Sequence, residues 1–119
     1  MAKFIVALLA LFVSTAQAAE WTQEQKTLAG IGLAALVIDY GQTRSIMAHP
    51  ERWAEANPML GEHPSTARLN TYFTLVPLVS YFALDAIPSR HRTTALKVMT
   101  SLQLACVGRN AYLGIHVKF

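Results

Sequence analysis

The sequence predicts an all-α fold, an N-terminal signal peptide followed by a three-helix transmembrane bundle, on three observations. Residues 1–18 have the layout of an export leader. Hydrophobic residues make up 53% of the 119-residue chain and charged residues only 14%, against roughly 25% charged in an ordinary soluble domain. Three long apolar stretches follow the leader, separated by proline-rich or charged connections.

In the leader, Lys3 supplies the positive start, residues 4–13 are an unbroken apolar run, and Ala16 and Ala18 are the small residues expected before a cut after Ala18. Ten apolar residues are too few to span a hydrocarbon core of ~30 Å, which favours a leader over an anchor. Residues 19–119 then form one helical membrane domain.

Thr22 and Gln25 have capping-box spacing, and Glu20 and Glu24 put negative charge at a helix start. The first span is predicted over about 27–47, ended by His49-Pro50. Three prolines between 50 and 64 mark a loop, with room for one short helix after Pro50. Ser65 caps the second span, about 69–87, kinked at Pro77 and stopped by Pro88. Residues 89–92 read as a polar hairpin, and the third span as about 96–117. The chain is expected in a bacterial inner membrane. Lys and Arg divide evenly between the two sides, so the leader decides orientation: mature N-terminus periplasmic, residues 48–68 cytoplasmic.

Helical spacing lines up Gly32, Ala35, Asp39, Gln42 and Thr43 on the first helix, Asn70, Thr74, Pro77 and Tyr81 on the second, and Thr100, Gln103, Val107, Asn110 and Gly114 on the third. A rise of ~1.5 Å per residue sets Asp39, Thr74 and Asn110 at one level of an antiparallel bundle. Arg109 lies there too, as the expected charge partner of Asp39. The candidate polar cluster is therefore Asp39, Gln42, Thr43, Asn70, Thr74, Arg109, Asn110 and His116, with Glu55, Asn57 and His63 from the loop. It reads either as polar glue between helices or as a cavity for a ligand, an ion or a lipid headgroup.

No basic run with interleaved aromatics suggests nucleic acid. The four histidines lack zinc-site spacing, no cofactor or metal is predicted, and the lone Cys106 reads as a small buried hydrophobe. Asp85 is expected to meet Arg90 or Arg92.

The run Asp39-Tyr40-Gly41-Gln42-Thr43, then Asn57-Pro58-Met59-Leu60-Gly61-Glu62-His63-Pro64, resembles small bacterial and phage-encoded inner-membrane proteins with a D-x-x-Q-T and N-P-x-L-G-x-H-P pattern. The resemblance covers about a third of the chain. It implies membrane placement and attention to Asp39, Gln42, Asn57 and His63, and it implies no particular activity. The leading functional expectation is helix association with itself or another membrane protein, alongside contact with membrane lipid. The alternatives are a membrane-embedded enzyme or lipid or small-ligand binder using Asp39 and His63, and a holin-like phage lysis or exclusion protein. A soluble three-helix body is the competing architecture, because Asp39 and Arg109 shorten the apolar runs.

Overall fold

A computed structural model describes residues 20–119, so the leader expected over 1–18 lies outside the described residues. These residues form three helices in chain order: α1 (Gln23–Ala48), α2 (Thr66–Ala86) and α3 (Ser89–Tyr112). No strand occurs among them.

Local chemistry sets most of the boundaries. The Thr22 hydroxyl accepts from Gln25 N, and the Gln25 side chain accepts from Thr22 N, a reciprocal capping box that satisfies two otherwise orphaned donors. His49 ends α1, and the chain then turns without the short helix expected after Pro50. Ser65 caps α2 by accepting from Arg68 N. Pro88 stands immediately before α3, where a fixed φ and a missing N–H do no harm. The polar hairpin expected over 89–92 is therefore the first turn of α3.

The third helix stops earlier than expected. Gly114 takes a φ of +81°, Ile115 N donates to Asn110 O, and Gly114 N donates to Ala111 O, which together make a Schellman ending. Residues 115–117, expected to continue the span, instead belong to a tail that turns back. Ile115 is buried, and Lys118 N donates to Gly41 O of α1 at 2.9 Å.

α1 and α3 lie side by side in close contact. A Cβ on Gly32 would come within 3.0 Å of Thr100 Oγ1, so a glycine is what admits α3 at that point. α2 joins this pair through two apolar clusters, one near each of its ends. Trp21, Leu33, Tyr81, Leu84 and Leu96 form one, and Tyr40, Leu60, Leu69 and Phe73 the other. Each large side chain so buried contributes roughly 1.5–3 kcal/mol relative to exposure.

The transmembrane reading does not survive. No helix among the described residues is long and apolar enough to cross a membrane. α1 carries Asp39, Gln42 and Arg44 in its second half, α2 carries Asn70 and Pro77, and α3 carries Arg90, Arg92, Lys97, Gln103 and Arg109. These residues break up the apolar stretches that the sequence pattern joined into spans. The inner-membrane localisation, with its periplasmic N-terminus and cytoplasmic 48–68 loop, loses its basis. So do the polytopic, membrane-embedded enzyme and holin-like readings.

Candidate functional site

A line of polar side chains fills the contact between α1 and α3. Thr100 Oγ1 donates to Leu28 O at 3.0 Å. Further along, Gln103 Nε2 donates to Asp39 Oδ2 at 2.9 Å, and Asn110 Nδ2 reaches Asp39 Oδ1 at 3.5 Å and Gln42 Oε1 at 3.2 Å. Gln42 Nε2 donates to Val107 O at 3.2 Å. Asp39, Gln42 and Asn110, grouped from helical spacing, are thus in one network with Gln103 of the same predicted stripe. Arg109 is not part of it. Arg109 is exposed, and Asp39 forms no ion pair with it among the described residues; two neutral amides replace the expected charge partner.

The loop between α1 and α2 extends this line. Thr43 Oγ1 donates to Glu55 Oε2 at 3.0 Å, and Asn57 N donates to Glu55 Oε1 at 2.9 Å. The Asn57 side chain then holds the turn, accepting from Met59 N and donating to the Tyr72 hydroxyl at 2.8 Å. Gly61, with a φ of +80°, completes a reversal that a side chain would strain. Asn70 meets the Tyr40 hydroxyl at 3.3 Å. Thr74 is half-buried with no side-chain hydrogen bond among the described residues, while His63 and His116 are exposed. The pairing of His63 with Asp39 is therefore not made.

The opposite end of the bundle holds a buried polar knot, of which the sequence suggested only a solvated meeting of Asp85 with Arg90 or Arg92. Arg92, only 7% exposed, donates to the carbonyls of Leu84 at 2.7 Å and of Asp85 and Ile87 at 3.1 Å, satisfying the C-terminus of α2. Its guanidinium also lies over the Trp21 ring, 5.1 Å from the centroid. Gln25 is fully buried, and its amide nitrogen is shared between the Ser89 carbonyl, the Ser89 hydroxyl and the Thr93 hydroxyl. The Asp85 carboxylate accepts from Trp21 Nε1 at 2.9 Å rather than from an arginine side chain. The sequence offered two cues, the capping box that placed Gln25 at a helix start and the expected approach of Arg92 to Asp85, and neither showed that these residues are buried between helices.

Burial, the largest effect, raises the Asp39 carboxyl above its ordinary value of 3.8; the Gln103 hydrogen bond opposes this and the negative charge of Glu55 adds to it. Desolvation, followed by Asp39 and Glu55, also raises the Cys106 thiol, with Arg109 opposing. Cys106 is exposed rather than buried as expected, and it lacks the lowered thiol pKa of a nucleophile. Both Asp39 oxygens are occupied by amide donors. Among the described residues no group of three His, Cys, Asp or Glu side chains could hold a metal ion. The network is built to fix α1 against α3.

Two apolar features lie outside it. α2 presents Leu75, Val79 and Phe82 at 52%, 64% and 66% exposure, and α3 presents Val98 and Leu102 at 54% and 63%. Between the three helices a cleft of about 100 Å³, partly open to solvent, lies beside Pro77, walled mostly by apolar carbon. No known protein family, curated protein or solved structure matches the chain.

Proposed function

We propose that this chain is an assembly protein that acts by pairing with a second copy of itself through the outer face of α2. The observation that carries the reading is the stripe Leu75, Val79 and Phe82, all more than half exposed. Steps of four and three residues put them on one side of a helix. A small protein rarely leaves such a row uncovered, and patches of this kind mark interaction surfaces.

The charge pattern favours a second copy over a charged partner. Residues 69–84 contain no Asp, Glu, Lys or Arg, so two copies of this face meet around a two-fold axis without desolvating a charge. Each Val or Phe fully covered adds roughly 1.5–3 kcal/mol, and two-fold symmetry doubles the number of such residues. The occupied oxygens of Asp39 and the raised thiol of Cys106 leave association better supported than catalysis.

Sedimentation over a range of concentrations tests the reading. The wild-type chain is expected to run as a dimer that dissociates on dilution. Val79→Glu, which sets two carboxylates near the axis, is expected to run as a monomer with unchanged helical circular dichroism. A wild-type protein that stays monomeric at its highest attainable concentration rejects the proposal.

A further inference from the structure

The cavity between the helices has walls whose side chains are small where larger ones would close it. Ala29 and Gly32 contribute from α1, Ser80 from α2 and Thr100 from α3. α2 reaches this level at Pro77, a residue with no N–H, which removes one rung of the helical ladder and disfavours a straight helix. The apolar clusters that hold α2 lie toward its ends. The gap therefore follows from the sequence at several positions on three helices, not from one undersized side chain.

Its polar groups are few and partly uncommitted. The Thr100 hydroxyl donates its proton to Leu28 O, and the Gln103 amide nitrogen is engaged by Asp39. The Gln103 side-chain oxygen and the Ser80 hydroxyl make no hydrogen bond among the described residues and are reached by solvent through the open side of the cleft. One acceptor and one hydroxyl thus stand at an otherwise apolar wall, and no charged side chain lines it.

We propose that this cavity binds one small, uncharged, mainly apolar molecule carrying a single hydroxyl. Its hydrocarbon part fills the space between Leu36, Val76 and Met99, and its hydroxyl donates to Gln103 Oε1 and accepts from Ser80. Charged ligands are disfavoured, because nothing in the wall compensates their desolvation. An apolar cavity of about 150 Å³ accommodates benzene, so about 100 Å³ suits a guest of roughly four or five non-hydrogen atoms. Leu75, Val79 and Phe82 do not line this cleft, so it operates whether or not the outer face of α2 pairs.

Isobutanol and xenon are the probes, followed by amide and methyl NMR of the full chain. Both are expected to shift the resonances of Val76, Met99 and Gln103 saturably. Ser80→Ala, which keeps the space and removes the hydroxyl, is expected to leave xenon binding intact and weaken isobutanol about fivefold, the loss of one ordinary hydrogen bond. Ser80→Leu is expected to abolish both. Val76→Phe fills the space from a second direction and replaces Ser80→Leu if that variant loses helicity. Failure of either probe to saturate, or binding that persists in the filled variant, overturns the proposal. Equal isobutanol affinity in wild type and Ser80→Ala overturns the assignment of a hydroxyl-bearing ligand.

Discussion

The contact of α1 with α3 and the docking of α2 follow opposite rules. Between α1 and α3 the helices come close, a glycine makes room, and Asp39, Gln42, Gln103 and Asn110 exchange hydrogen bonds in a partly buried row. α2 is held by aromatic and aliphatic clusters and by Arg92 at its C-terminus, with a partly open cleft beside Pro77 in between. A polar contact tolerates few alternative arrangements, since each mispaired group costs roughly 1–3 kcal/mol. An apolar contact specifies position less sharply. The first region therefore fixes register, and the second sets position by shape alone.

Removing the tie at the end of α2 is expected to have the largest effect. Arg92→Met leaves the carbonyls of Leu84, Asp85 and Ile87 without their donor and is expected to cost about 3 kcal/mol in urea unfolding. Amide exchange in the variant should quicken in α2 before α1 and α3; uniform loss of protection across all three helices would erase the contrast between the two regions.

A smaller effect is expected inside the tight contact. Gly32→Ala brings a methyl to within 3.0 Å of Thr100 Oγ1 and displaces a hydroxyl bound to Leu28 O. The expected loss is about 1–2 kcal/mol, typical of overpacking. The same unfolding assay checks it, and a neutral result would mean that α1 and α3 yield as readily as α2.

The mildest test concerns pH. Burial raises Asp39 above 3.8, so the folded protein holds a proton that the unfolded chain releases. The resulting stability is fully present below pH 3.8 and is lost as pH rises through the folded value. Asp39→Asn removes that titration. The unfolding midpoint of the variant should gain on wild type as pH rises through this range, and parallel profiles would show that burial does not govern Asp39.

Much of the polar row was legible because helical periodicity is rigid. Steps of three and four residues fixed which side chains share a face, and Asp39, Gln42, Thr100, Gln103 and Asn110 all turn inward as their spacing required. The choice of partner was not legible. Arg109 follows Gly108 off that face and reaches solvent, while Gln103 and Asn110 stay on it, so amides rather than a cation meet the carboxylate. The burial of Gln25 and Arg92 was not legible because polar residues at helix ends ordinarily face water; only the return of α3 past Trp21 buries them. The membrane expectation failed for a related reason. Strung along the sequence, the apolar residues suggested spans, yet no described helix keeps enough of them in one uninterrupted length.

By itself the sequence determined three helices, the caps at Thr22 and Ser65 and the proline in α2, because each rests on contacts within a few residues. Tertiary structure alone decided that Asp39 binds groups 64 and 71 residues away, that Arg92 closes α2, and that a cavity remains beside Pro77. Those outcomes depend on the separation and rotation of whole helices, which only the simultaneous packing of all three sets.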